Sequence, residues 1–136
     1  MKTIKGRRVL LIDDEPEIGK LIELVLASWR RDLVQQATSS PEGLRLAEQN
    51  PPDLIILDIM MPEPNGQRVY EQIRRKPALA RVPILFTHSG DRSAQAQRMG
   101  AAGYLVKPLS WQELLTARDT VLQGQTYFPL LKTGNK

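Results

Sequence analysis

Leu54-Ile55-Ile56-Leu57-Asp58, followed by Ile59-Met60-Met61-Pro62 and then Asn65-Gly66, is the stretch that decides the fold. A short apolar run after Pro51-Pro52 that stops at a carboxylate has the form of a buried strand whose C-terminal end presents an acid to solvent. The form recurs twice. Val9-Leu10-Leu11-Ile12 ends at Asp13-Asp14-Glu15, and Gly103-Tyr104-Leu105-Val106 ends at Lys107-Pro108. In a parallel sheet these ends lie side by side, so Asp13, Asp14, Asp58 and Lys107 are expected around one crevice.

Working outward, strand and helix patterns alternate along the whole chain. Strands are predicted over Arg7–Asp13, Leu33–Thr38, Asp53–Asp58, Pro83–Thr87 and Ala102–Val106. The second is too polar for the middle of a sheet. Helices are predicted over Glu15–Trp29, from Pro41 onward, over Gln67–Arg75, over Ser93–Met99 and from Ser110 to about Leu122. In the first helix Ile18, Leu21, Ile22, Val25 and Leu26 recur at helical spacing, with Asp14 as the expected N-cap. Ser40 is the expected cap of the second helix, with Leu44, Leu46 and Ala47 apolar. Val69, Tyr70 and Ile73 should face inward from the third, and Ser110 with Glu113 has capping-box form. Five strands alternating with five helices through short connections demand one doubly wound α/β domain, a five-stranded parallel sheet with helices on both faces.

Composition is that of an ordinary globular domain. The chain has 136 residues, 41% hydrophobic and 25% charged, with no cysteine. The absence of cysteine suits a reducing, cytoplasmic setting. No apolar run approaches the roughly 20 residues that span a bilayer, so no membrane partner is expected. The net charge is +4, but its arginines and lysines are scattered over many elements and few aromatics accompany them. Direct nucleic-acid binding by this chain is therefore not expected. Trp29 and Trp111 read as helix-packing residues, and His88, the single histidine, as a loop residue.

The acids set the chemistry. Carboxylates ~4 Å apart repel by about 4 kcal/mol at an effective dielectric near 20. A divalent cation removes that cost, and an all-oxygen donor set favours Mg²⁺ or Mn²⁺ over zinc. Three carboxylates, Mg²⁺ and Lys107 sum to zero charge, which a bound anion would then disturb.

The order and spacing of these motifs, from about Arg8 to Leu122, resemble the response-regulator receiver family, the phosphoacceptor domains of two-component signalling. Each motif alone is weak, and the three together at successive strand ends are specific. The resemblance implies the flavodoxin-like strand order 2-1-3-4-5, with a receiver domain over residues 1–123 and a C-terminal tail or linker over 124–136. It implies that Asp58 accepts a phosphoryl group from a histidine kinase, a phosphotransfer protein or a small acyl phosphate. Asp13, Asp14, Asp58 and the Met60 carbonyl would hold Mg²⁺ (or Mn²⁺). Lys107, ahead of a cis proline peptide, would pair with the phosphoryl oxygens. Thr87 would supply a hydroxyl, and Tyr104 would be the aromatic that swings inward when that hydroxyl moves. Between Pro83 and Gly100 the chain looks a few residues shorter than the family pattern. The hydroxyl position therefore falls on Thr87 or Ser89, or on His88 if the strand aligns without a shift, with Thr87 favoured because it directly follows the apolar run.

Two other classes fit the motifs less well. A Mg²⁺-dependent phosphohydrolase of haloacid-dehalogenase type places its nucleophile on the first strand in an Asp-x-Asp pattern, whereas here the first acids are adjacent. A pseudo-receiver, a pure interaction module, normally lacks an acid or the lysine, and all are present here. A homodimer is left open. The tail from Leu114 to Pro129 is similar to the junction that follows receivers attached to a LuxR-type helix-turn-helix, so both a single-domain regulator and a longer parent protein fit the sequence.

Overall fold

The computed structural model describes residues 3–62, 65–90 and 92–128. Its elements, in chain order, are β1 (Arg8–Ile12), α1 (Pro16–Arg30), β2 (Leu33–Ala37), α2 (Ser40–Gln49), β3 (Leu54–Asp58), α3 (Gly66–Arg74), a 3-10 turn (Pro77–Leu79), β4 (Ile84–His88), α4 (Ser93–Met99), β5 (Gly103–Val106) and α5 (Trp111–Leu122). The strands form one sheet in the order β2-β1-β3-β4-β5, and every neighbouring pair is parallel. This is the fold class and strand order expected.

Burial follows directly from this order. β3 is central, and all five of its residues are buried. β2, with its polar Gln35 and Gln36, takes an edge. Alternate strand residues feed two apolar layers. Leu10, Ile12, Ile55, Leu57, Ile84, Phe86 and Tyr104 face one side and pack with Val69, Tyr70 and Ile73 of α3. Val9, Leu11, Ile56, Leu85 and Leu105 face the other and pack with Ile22, Val25 and Leu26 of α1 and Leu114, Leu115 and Val121 of α5.

Several local expectations are corrected. Asp14 does not cap α1. The N-cap is Glu15, without a side-chain bond, and Asp13 Oδ1 accepts from the Glu15 amide at 2.9 Å. Proline at the first helical turn needs no donor partner there, so the acids are released from capping. The cap of α2 is Ser39, whose Oγ accepts from Glu42 N at 3.3 Å, while Ser40 lies buried inside the helix. Ser110 caps α5 as expected. Leu21 is exposed, because the sheet-facing stripe of α1 is the narrower set Gly19, Ile22, Val25 and Leu26. Trp29 and Trp111 pack helix on helix as expected, though outside the core. Trp29 lies in the last turn of α1, beyond the positions that reach the sheet. The two rings stack on each other at the surface, 5.7 Å apart and 14° from parallel, with 57% and 46% of each residue exposed.

Of the segment read as a tail, residues 124–128 are described. Tyr127 bridges Gly103 in parallel, its amide donating to the Ala102 carbonyl at 2.9 Å and its carbonyl accepting from Tyr104 N at 3.0 Å. Gly103 has to lack a side chain here, since a Cβ would stand 2.4 Å from the Tyr127 oxygen. The part of that expectation covering residues 129–136 lies outside the described residues.

A second charge cluster forms at the N-terminal end of the strands. Arg118 of α5 is fully buried and reaches Asp32, just before β2, through Nε at 2.9 Å and a terminal nitrogen at 2.6 Å. The Arg7 amide donates to the same carboxylate at 3.0 Å. Arg118 also reaches the Ile4 carbonyl and, at 2.8 Å, Asp119, which pairs with Arg30 at 2.7 Å.

Candidate functional site

Parallel pairing brings the C-terminal ends of β1, β3, β4 and β5 to one edge. Asp13 follows β1 directly and is tied to β2 by its amide, which donates to Ala37 O at 3.0 Å. Asp58 is the last residue of β3 and pairs in register with Thr87 of β4. The chain then turns sharply back. Gly66 N donates to Ile59 O at 3.1 Å, and a Cβ on Gly66 would lie 2.5 Å from the Asp58 carbonyl oxygen, so the start of α3 can sit this close only as glycine.

Carboxylate oxygens of Asp13, Asp14 and Asp58 all lie within 4.8 Å of one another. Asp13 and Asp58 are buried and Asp14 is exposed. Lys107 Nζ sits among the acids, 2.8 Å from Glu15 Oε1, 2.9 Å from Asp13 Oδ2 and 3.2 Å from Asp58 Oδ2. The contact to Asp13 Oδ2 is an ion pair poorly directed for hydrogen bonding, so that buried oxygen keeps open acceptor capacity. The Met60 amide donates to Asp58 Oδ1 at 3.0 Å. The peptide between Lys107 and Pro108 is cis.

Titration directions follow from this arrangement. Burial pushes the Asp13 carboxyl above its ordinary value. The Lys107 ammonium and the bond from the Glu15 amide oppose that shift, and the nearby Asp58 adds to it. Glu15 is held below its ordinary range by Lys107. Burial alone would lower the lysine, but its close contacts with Glu15 and Asp13 and the charge of Asp58 hold it above its usual value. Four carboxylates against one ammonium leave an excess of negative charge. The fourth carboxylate is Glu15, which the lysine reaches across the cleft.

The three-acid donor set is all oxygen, and the buried, underused Asp13 Oδ2 points to a hard cation as the missing partner. The residues fit Mg²⁺ or Mn²⁺.

The remaining candidates are placed less centrally. Thr87 is buried, and its Oγ1 has no hydrogen-bond partner. Ser89 is exposed and lines the crevice. Tyr104 is not in the crevice. Its ring is buried in the core, and its hydroxyl donates to the Gly90 carbonyl and accepts from Arg92 N at 3.1 Å. His88, read from the sequence as a loop residue, is instead the last residue of β4. Its Nδ1 stands 3.8 Å from Asp58 Oδ1, and it lines the crevice. Glu15 and His88 are the site residues that the motifs did not single out. The only sequence signal for them was adjacency, Glu15 to the acid pair and His88 to Thr87.

Comparison with known proteins gives the chain's family. The family model described as the response regulator receiver domain matches residues 9–119. The chain is 37% identical over 125 residues to the DNA-binding dual master transcriptional regulator RpaA of Synechocystis sp., covering 90% of this chain and 52% of RpaA. It is 31% identical over 121 residues to Protein PilH of Pseudomonas aeruginosa, covering 86% of this chain and 98% of PilH. The solved structure of the chemotaxis response regulator CheY4 of Vibrio cholerae superposes with a TM-score of 0.77 at 28% identity, over 88% of this chain and 98% of CheY4. The chain thus spans about half the length of RpaA and nearly all of PilH. Among the described residues no helix is long and apolar enough to cross a membrane.

Proposed function

This chain belongs to the response regulator receiver domain family, and we propose that it works as a phosphoacceptor switch, taking a phosphoryl group onto Asp58 from a sensor histidine kinase, a phosphotransfer protein or a small acyl phosphate. One observation carries the reading. The carboxylates of Asp13, Asp14 and Asp58 converge within 4.8 Å while Lys107 reaches both buried acids.

Each residue has a role in the transfer. An Asp58 carboxylate oxygen bonds to phosphorus as the bond from phosphorus to the donor breaks. The donor, an imidazole nitrogen or an acyl oxygen, leaves with the electron pair, and the imidazole then takes up a proton. The transition state is loose, with charge spread over three equatorial oxygens, so position and positive charge do most of the work. Lys107 supplies the movable ammonium and the Met60 amide orients Asp58. Asp13, Asp14 and Asp58, with the Met60 carbonyl, would hold Mg²⁺. When bound, that ion counters the charge on the phosphoryl oxygens and relieves repulsion among the acids.

Thr87 is the hydroxyl best placed to respond, since it is buried opposite Asp58 in the sheet with its Oγ1 unpartnered. Movement of Thr87 toward the phosphoryl group would alter packing against β5, where Tyr104 ties the strand to the loop at Gly90 and Arg92. Switching of this kind needs two packings only a few kcal/mol apart. The receiver unit is residues 1–123. Residues 124–136 are a C-terminal tail or linker, of which Tyr127 bridges β5.

Treatment with acetyl phosphate and Mg²⁺, followed by intact-protein and peptide mass spectrometry, tests the proposal. A gain of one phosphoryl group on Asp58, lost with EDTA and absent from Asp58→Asn, is expected. An Asp58→Asn chain that gains the group equally overturns the assignment.

A further inference from the structure

We propose that the hollow at the N-terminal end of the sheet is a binding site for a nucleoside phosphate. It lies at the opposite end of the strands from Asp58, and the inference does not depend on the phosphoacceptor reading. The hollow has a volume of about 540 Å³. It sits beside the buried Arg118–Asp32 pair, since Ile4, whose carbonyl Arg118 reaches, forms part of its wall. Arg7 ahead of β1, Arg74 at the end of α3 and Arg81 ahead of β4 all line it. Asp53 is the one acid among its described lining residues.

These cations are unmatched. Among the described residues none of the three arginine side chains pairs with a carboxylate. Asp53 is already engaged, its Oδ2 accepting from the Arg8 amide at 2.8 Å. Three guanidinium groups against one carboxylate leave two positive charges without a counterion. Arg74 shows the imbalance best. It is half-buried, and its bonds are all to neutral groups. Its Nε donates to the Tyr70 hydroxyl at 3.4 Å, and Nη1 donates to the carbonyls of Leu79 at 3.1 Å and Val82 at 2.8 Å. Its guanidinium carbon lies 5.0 Å from the centre of the Tyr70 ring. These contacts hold the fork in place and leave Nη2 without a partner among the described residues. A charge drawn partly out of water with no opposite charge beside it favours an anionic ligand. Guanidinium forks match the paired oxygens of a phosphate group.

The rest of the lining selects the kind of phosphate. Pro83 and the buried Val121 give the hollow an apolar wall. A bare phosphate ion would leave that wall uncovered and most of the volume unfilled. A sugar phosphate would set hydroxyls against it without partners. A flat base covers it while the phosphates meet the arginines. The volume also falls within the roughly 300–1,000 Å³ of small-molecule sites.

Isothermal titration calorimetry on the full chain tests this, with ADP, GDP, pyrophosphate and adenosine as separate titrants. The buffer contains EDTA, so that no divalent ion draws phosphates to the acid crevice. At least one of the two nucleotides should bind at a single site per chain, about tenfold or more tightly than pyrophosphate or adenosine. Arg81 is exposed and unpaired, so Arg81→Gln should unfold in urea at the parental midpoint. It should weaken that nucleotide by about tenfold or more, the loss of one charged hydrogen bond. Arg68→Gln removes the same charge from an exposed position in the first turn of α3, at the other end of the sheet, and should leave the affinity unchanged. Absence of saturable binding by both nucleotides overturns the inference. Pyrophosphate or adenosine binding as tightly as the nucleotide overturns it as well, because one half of the ligand would then contribute nothing. Equal weakening by Arg68→Gln and Arg81→Gln would reduce the effect to diffuse positive charge, and the site would fall with it.

Discussion

The two ends of the sheet carry two charge clusters built on opposite plans. At the N-terminal end Asp32 and Asp119 are matched by Arg118 and Arg30, charge for charge, and each arginine is bonded to a carboxylate at 2.9 Å or less. At the C-terminal end Asp13, Glu15 and Asp58 share Lys107 with Asp14 close by, and two buried oxygens, Asp13 Oδ2 and Thr87 Oγ1, lack hydrogen-bond partners. The first cluster is closed and fastens α5 and the entry to β1 onto the sheet. The second is open, and under the proposed function it would gain from a cation and then from a phosphoryl group. A buried pair of matched charges adds little over apolar packing, yet losing one partner strands the other without water. An unmatched cluster behaves in the reverse way, since losing one acid relieves it.

The largest expected effect is at the closed end. Arg118→Met removes the cation but leaves Asp32 buried, which costs ~3–5 kcal/mol. Urea unfolding should show that loss as a lower midpoint. Asp13→Asn, at the open end, should instead raise stability by on the order of 1 kcal/mol in EDTA, because it removes one buried like charge from the cluster. If Arg118→Met unfolds at the parental midpoint, or if Asp13→Asn is destabilised as strongly as Arg118→Met, the two ends do not differ in the way described.

A cation sharpens the contrast. Under the proposed function Mg²⁺ would be held by the folded arrangement of Asp13, Asp14 and Asp58 and not by the unfolded chain, and at a concentration 100-fold above its dissociation constant it should add about 2.7 kcal/mol to the parent chain. Asp13→Asn should lose most of that gain, and a substitution at the closed end should keep it. Melting curves in Mg²⁺ and in EDTA measure both. Identical curves for the parent chain would reduce the acid cluster to an ordinary polar rim.

The open end was legible in the sequence and the closed end was not. Asp13, Asp58 and Lys107 each terminate an apolar run, so strand periodicity locates them and parallel pairing brings them together. Asp32 and Arg118 are 86 positions apart, and no local pattern marks either. The remaining misses have the same origin. His88 joins the site because β4 runs one residue beyond the Pro83–Thr87 stretch predicted as strand. Glu15 joins because Lys107 reaches it across the cleft. Asp14 looked like a cap because it precedes Pro16, yet the helix starts without a side-chain cap and the acid stays free. The stacking of Trp29 on Trp111 depends on how α1 and α5 lie together, which amphipathicity within one helix cannot specify.

The smallest expected effect is the response of the two ends to acid in EDTA. At the closed end, burial works against ionisation of Asp119, but its bonds to Arg30 and Arg118 win, and its carboxyl is held below the ordinary value of 3.8. Stability drawn from that group is complete above pH 3.8 and is lost as pH falls through the lower, folded value. At the open end burial raises the Asp13 carboxyl above 3.8. In the window between 3.8 and that raised value the folded chain binds the proton more readily than the unfolded chain, so stability rises as pH falls through it. Asp13 and Asp119 thus predict opposite slopes on either side of pH 3.8. Unfolding free energies measured against pH for the parent chain, Asp13→Asn and Asp119→Asn separate them. Asp13→Asn should flatten the upper slope and leave the lower one, and Asp119→Asn should do the converse. Slopes that both fall toward acid, with neither substitution changing its own window, would mean that the acid cluster is relaxed in solution and that the contrast between the two ends is only geometric.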